Sequence, residues 1–139
     1  MASVDEDYVR RLIADMEEAM GIILEDVSKP FEALSRAERN EIRYYLIVLV
    51  EALVALCYHI SRRAYNARPG TPMEALKVLT DRGLMTPEEF GELVKLVKLR
   101  NLLVHRYWVV NDKRLYDEAG RDFRRVKEFL KRVKGVVNL

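Results

Sequence analysis

Tyr44–Ile60, YYLIVLVEALVALCYHI, is the stretch whose reading decides the fold. It falls short of the roughly 20 apolar residues that a membrane span needs. Glu51 interrupts it near the middle and His59 stands near its end, and a carboxylate at mid-span is costly in a bilayer. A helix buried on nearly all sides, at the centre of a bundle or at a subunit contact, fits the stretch better.

The flanks carry helix punctuation. Ser35-Arg36-Ala37-Glu38 is a capping box that opens this long helix, predicted to run to about Arg63. Before it, Val4 to Val27 places Val9, Leu12, Ile13, Met16, Ala19, Met20 and Ile23 on one stripe, and Lys29-Pro30 ends that helix. After it, Arg68-Pro69-Gly70 marks a loop. Thr71-Pro72-Met73-Glu74 reads as a second capping box with proline at the first helical position, starting a short helix that stops at Asp81-Arg82-Gly83. Thr86-Pro87-Glu88-Glu89 repeats the device and opens a helix through about His105. Val109 to Asp112 is a connector, and a last helix is predicted from about Lys113 to Lys134, with Gly120 its weak point. No stretch alternates as a strand does. The expectation is an all-α chain: an up-and-down four-helix bundle with an extra short helix, one domain over residues 1–139.

Composition agrees. Of 139 residues, half are hydrophobic and a third charged, which argues against disorder. A chain of this length buries roughly 68–70% of its unfolded surface. The single cysteine excludes an intramolecular disulfide and fits a reducing cytosol, and with two histidines it leaves little material for a metal centre. The acidic start, Met1 to Asp7, does not read as a secretory signal. The expected setting is cytoplasmic, with no membrane and no cofactor.

The net charge of +2 conceals an asymmetry. Residues 1–69 hold 9 basic and 12 acidic side chains, whereas residues 70–139 hold 15 and 10. Arg121, Arg124, Arg125, Lys127, Lys131, Arg132 and Lys134 crowd the end. Such a run serves either as a solvated helix face or as a phosphate-tracking surface, for which Lys98, Arg106, Arg124 and Arg125 are candidate RNA contacts.

The helix that ends near His105 contains a polar interruption. With Phe90 at 0° and about 100° per residue, Val97 falls near 340° and Leu93 near 300°. Continued, the same arc receives Arg100 near 280°, Asn101 near 20° and His105 near 60°. Polar groups in a core must be paired. The alternatives are a buried network, with Arg100 held by a carboxylate of the first or second helix, or a cleft or subunit contact where the three groups face a ligand. Arg100 and His105 stand about 7.5 Å apart along the axis, within reach of one phosphate-sized anion. An imidazole exchanges protons near neutral pH, and a guanidinium holds a phosphate bidentately. Together they suit cleavage of RNA through its 2′-hydroxyl without a metal.

Arg100-Asn101-Leu102-Leu103-Val104-His105-Arg106-Tyr107 resembles the R-x4-6-H motif of HEPN domains, and more closely the R-x4-H-x-Y form of the HepT toxin family. Ala75 to Leu79, Gly83-Leu84 and the basic end follow that family's order, so the resemblance extends from the first helix to about Val133. It implies a four-helix bundle that pairs as a homodimer, with two motif copies lining one cleft. The implied activity is a metal-independent endoribonuclease acting on mRNA or tRNA. Arg100 and His105 would be catalytic, with Asn101 assisting. The implied partner is a minimal nucleotidyltransferase antitoxin that attaches AMP to Tyr107. The resemblance also admits a non-catalytic module that binds nucleotide or substrate for such a transferase.

In one place the chain departs from the pattern. The family often shows Asp and Asn before a His in the second helix, where this sequence has Ala55 and Tyr58 before His59. Glu51 remains as a partner for Arg100, and His59 reads as a satisfied core or interface histidine. Trp108 is expected in the core or an interface, Cys57 as an inert buried thiol, and Tyr44-Tyr45 as packing.

Overall fold

A computed structural model of the chain describes residues 3–119 and 123–139, and the expected weak point at Gly120, like the basic Arg121, lies outside the described residues. Among the described residues, six α-helices follow one another: α1 (Glu6–Val27), α2 (Arg36–Tyr65), α3 (Pro72–Asp81), α4 (Pro87–His105), α5 (Asp112–Ala119) and α6 (Arg124–Val136). Two single 3-10 turns, Phe31–Ala33 and Tyr107–Val109, join α1 to α2 and α4 to α5. Among the described residues there is no strand.

The caps set most of these boundaries. At the start of α2, the Glu38 N–H donates to Ser35 Oγ at 3.1 Å and Glu38 Oε1 accepts from the Ser35 N–H at 2.9 Å, a complete box. Thr86 and Glu89 do the same for α4, with both bonds at 3.1 Å. Thr71 completes only half of its expected box: its hydroxyl accepts from the Glu74 N–H at 3.2 Å, but the Glu74 carboxylate reaches past it to the Gly70 N–H at 2.7 Å. Asp5 caps α1, which begins at Glu6.

The expected single last helix is instead two, α5 and α6. Before α6, Phe123 is turned into the left-handed region (φ 54°) with its ring buried, and a helix cannot run through a residue in that conformation. Burial of the ring against the core holds it there.

α2 is the central rod. It packs against α1, α3, α4 and α5, and α4 in turn packs on α3 and α6. Leu46, Leu49, Leu53, Leu56, Cys57 and Ile60 are buried, joined by Met16 and Ile23 of α1, Leu76 and Leu79 of α3, Leu93 of α4 and Phe129 of α6. By length and hydropathy α2 is able to cross a membrane, yet half of its most apolar window is covered by the other helices. On another face, the half-buried Val54, Ala55 and Tyr58 and the exposed Glu51 look toward the end of α4.

Acidic side chains are buried at two places. Glu89, at 1% exposure, accepts from both terminal nitrogens of Arg132 at 2.6 and 3.1 Å, tying α4 to α6. Asp26, also buried, sits at the end of α1 against the start of α2. Desolvation, then a hydrogen bond with Glu41 and its charge, push the Asp26 pKa up to about 7.

Candidate active site at the end of the fourth helix

Arg100 lies one and a half turns before the end of α4, its side chain 27% exposed. Its guanidinium donates to Glu51 Oε1 of α2 at 2.9 Å and to Asn101 Oδ1 at 3.0 Å. Arg100 and Asn101 therefore form one unit with Glu51, 49 residues earlier in the chain. They border a groove of about 360 Å³ between α2 and α4. Ala55 and Tyr58 line the same groove, at the positions where an Asp and an Asn were noted missing. Glu51 is thus the carboxylate that holds Arg100, and its own side chain is 54% exposed, so the ion pair opens to solvent rather than being sealed in the core.

His105 is the last residue of α4 and is exposed. It is not among the residues lining the Arg100 groove. Beyond it the chain leaves the helix through Arg106 and forms the 3-10 turn carrying Tyr107, Trp108 and Val109, exposed at 64%, 68% and 44%. The Tyr107 and Trp108 rings meet edge to face, with centroids 5.5 Å apart. The core alternative for Trp108 is corrected: the turn points it outward. Of the six exposed large hydrophobic residues among those described, Val104, Tyr107, Trp108 and Val109 lie on this one segment.

This turn is clamped by a residue that the sequence did not single out. Arg43 of α2 pairs with Asp112 at 2.8 Å, donates to the Tyr107 carbonyl at 3.4 Å, and donates to the Val110 carbonyl. Nothing local marks Arg43, since its partners are 64 to 69 residues away.

The other expected positions separate. Lys98, Arg124 and Arg125 border a second groove, between α4, α5 and α6, whereas Arg106 caps α4 outside it. His59 is structural: its Nε2 accepts the Asp5 N–H at 3.0 Å and its ring meets Tyr8 edge to face at 5.0 Å. Burial, then the Arg63 cation, hold its pKa below the ordinary imidazole value. Cys57 is fully buried, and desolvation pushes its pKa far up. Among the described residues, no three His, Cys, Asp or Glu side chains gather as a metal site.

Arg100, Asn101 and His105 thus stand in the last turns of one helix of the bundle, followed by the exposed Tyr107. Residues 10–133 match the family model described as ribonuclease HepT-like, and the chain belongs to that family. No curated protein sequence matches the chain. Solved structures share its fold at low identity. One is the cytosolic protein of unknown function YutE from Bacillus subtilis, with TM-score 0.85, 18% identity, and coverage of 98% of this chain and 92% of that one. Another is the tri-AMPylated Shewanella oneidensis HEPN toxin in complex with its MNT antitoxin, with TM-score 0.83, 20% identity, and coverage of 93% and 98%. A third is a toxin–antitoxin complex with AMP-PNP, with TM-score 0.82, 20% identity, and the same coverage.

Proposed function

We propose that this chain is a HepT-like toxin: a metal-independent endoribonuclease that acts as a cytoplasmic homodimer and cleaves RNA, with mRNA or tRNA as substrate. The observation that carries the reading is the Arg100–Asn101–Glu51 unit, open to solvent at the end of α4, with an exposed His105 five residues on. A purely structural network would bury the Arg. Here a carboxylate orients it and leaves its face toward a groove. In the cleft between two paired copies, Arg100 holds the scissile phosphate and offsets the charge that builds on its oxygens. His105 takes the proton of the ribose 2′-hydroxyl, whose oxygen attacks phosphorus. The bond to the 5′-oxygen breaks, and that oxygen takes a proton from an imidazolium. In a homodimer the two His105 side chains supply one base and one acid. Asn101 fixes the guanidinium plane through its 3.0 Å bond.

Two further features support the assembly. The exposed apolar side chains of Val104, Trp108 and Val109 beside the motif form a surface that a second copy would cover. The Tyr107 side chain stands free of the core, so a nucleotidyltransferase antitoxin can reach it. The tyrosine oxygen would attack the α-phosphorus of ATP, releasing pyrophosphate and leaving a bulky anion two residues from His105. The comparison with a tri-AMPylated HEPN toxin supports this route for the class.

The test is His105→Ala in purified protein. Cleavage of RNA and growth inhibition are expected to vanish while circular dichroism and sedimentation stay as in wild type. Cleavage at the wild-type rate would sink the proposal. If the wild-type dimer left RNA intact but lost nucleotide binding on Arg100→Ala, the non-catalytic module would be the better reading, a reading that the absence of Asp at position 55 favours.

A further inference from the structure

The groove between α4, α5 and α6 lies apart from the Arg100 groove and encloses about 390 Å³. Its walls carry Lys95, Lys98, Arg114, Arg124 and Arg125 against two carboxylates, Glu92 and Glu118. Among the described residues, Lys95, Lys98, Arg114 and Arg125 form no ion pair. Cations outnumber carboxylates around this concavity, and an anionic ligand relieves their mutual repulsion. Beneath them the floor is apolar, made by Leu99, Leu102 and Phe123. Cations above an apolar floor are what a single-stranded nucleic acid needs: phosphates at the rim and a base face laid on the floor.

Position along α4 connects this groove to the candidate site. Lys98 and His105 are seven residues apart on one continuous helix, so they share a stripe and stand about 10.5 Å apart along the axis. Leu102 lies between them and belongs to the groove. A strand held at His105 therefore has a path past Leu102 to Lys98 and into the groove.

We infer that this groove is a second nucleic-acid subsite, which takes the single-stranded RNA flanking the scissile bond and holds it by its phosphates. The inference rests on the ribonuclease reading for the identity of its ligand, and its test is made in binding rather than in cleavage. The probes are 5′-fluorescein oligouridylates of three and twelve nucleotides, titrated by anisotropy into full-length His105→Ala protein, which cannot cut them. The twelve-mer is expected to bind at least about tenfold tighter than the three-mer, with affinity falling as salt rises. In His105→Ala carrying Lys98→Ala, Arg114→Ala and Arg125→Ala, that gain with length is lost. The logarithmic salt slope also becomes shallower by about 2, since each phosphate contact to a single strand contributes roughly 0.7. Among the described residues these side chains make no ion pairs, so the variant is expected to stay folded, with circular dichroism as the check. An unchanged twelve-mer affinity and slope in the folded variant overturns the subsite. So does displacement of the twelve-mer by an equal concentration of polyglutamate, which would make the groove a general acidic-peptide site. If wild-type protein cleaves no RNA but the length-dependent binding still depends on the three cations, the ribonuclease reading falls and the subsite stands.

Discussion

Two glutamates show how differently one residue type serves this chain. Glu89 is buried, caps α4 and holds both terminal nitrogens of Arg132. Removing it strips a buried cap and leaves a partly buried cation unpaired. Glu89→Ala is therefore expected to cost about 3 kcal/mol, read from the urea midpoint. Glu51 is half exposed, and its ion pair with Arg100 is worth under about 1 kcal/mol. Its effect is on geometry. Glu51→Ala is expected to keep the urea midpoint near wild type but to lower kcat for RNA cleavage about tenfold, or ~1.4 kcal/mol in the barrier. An equal loss of stability in the two variants would contradict this division. The motif residues were legible in the sequence because a basic, an amide and an imidazole group broke an apolar stripe. Arg43 was not legible, because its role depends on carbonyls and a carboxylate brought from the far side of the chain.

At the level of elements, boundaries were readable wherever a side chain performs the capping. Ser35 and Thr86 each bond the backbone three residues on, and Ser35→Ala or Thr86→Ala is expected to cost about 1 kcal/mol in thermal or urea unfolding. The division between α5 and α6 was not readable, because it coincides with a phenylalanine in a left-handed conformation, held by core burial rather than by local preference. The α1–α2 hairpin adds a pH-dependent contact. Asp26 is desolvated and hydrogen-bonded to Glu41, with Glu38 raising and Lys29 lowering its pKa, which stands at about 7 in the fold. The folded chain thus keeps a proton that an unfolded aspartate, with a pKa of about 3.9, releases. The stabilisation is present in full below that unfolded value and is lost as pH rises through about 7. Asp26→Asn is accordingly expected to raise Tm near pH 8 and to change it little near pH 4. A shift of the same size at both pH values would rule this account out.

For the molecule as a whole, α2 decides the architecture, and its apolar run proved to be the central rod of a helical bundle. The sequence placed Trp108 in the core or at an interface, and its exposure removes the first choice. Composition does not separate the two, since a tryptophan that packs inside and one that packs on a neighbour are the same residue. If a second copy covers the Val104, Trp108 and Val109 side chains, Trp108→Asp is expected to convert the dimer to a monomer in sedimentation at micromolar concentration without changing the circular dichroism spectrum. RNA cleavage falls with it, because the two motif copies separate. An aspartate variant that stays dimeric and active would place the subunit contact elsewhere.

The lone thiol has a practical consequence. Cys57 lies in α2 with no solvent access, and burial keeps it protonated. A thiol reagent reaches it only during moments when the bundle comes apart, so its labelling rate in native buffer is a clock for those openings. The chain thus carries its own reporter. Comparing labelling rates with and without the proposed RNA substrate reads how strongly a ligand keeps the central rod closed, with no probe to be engineered in.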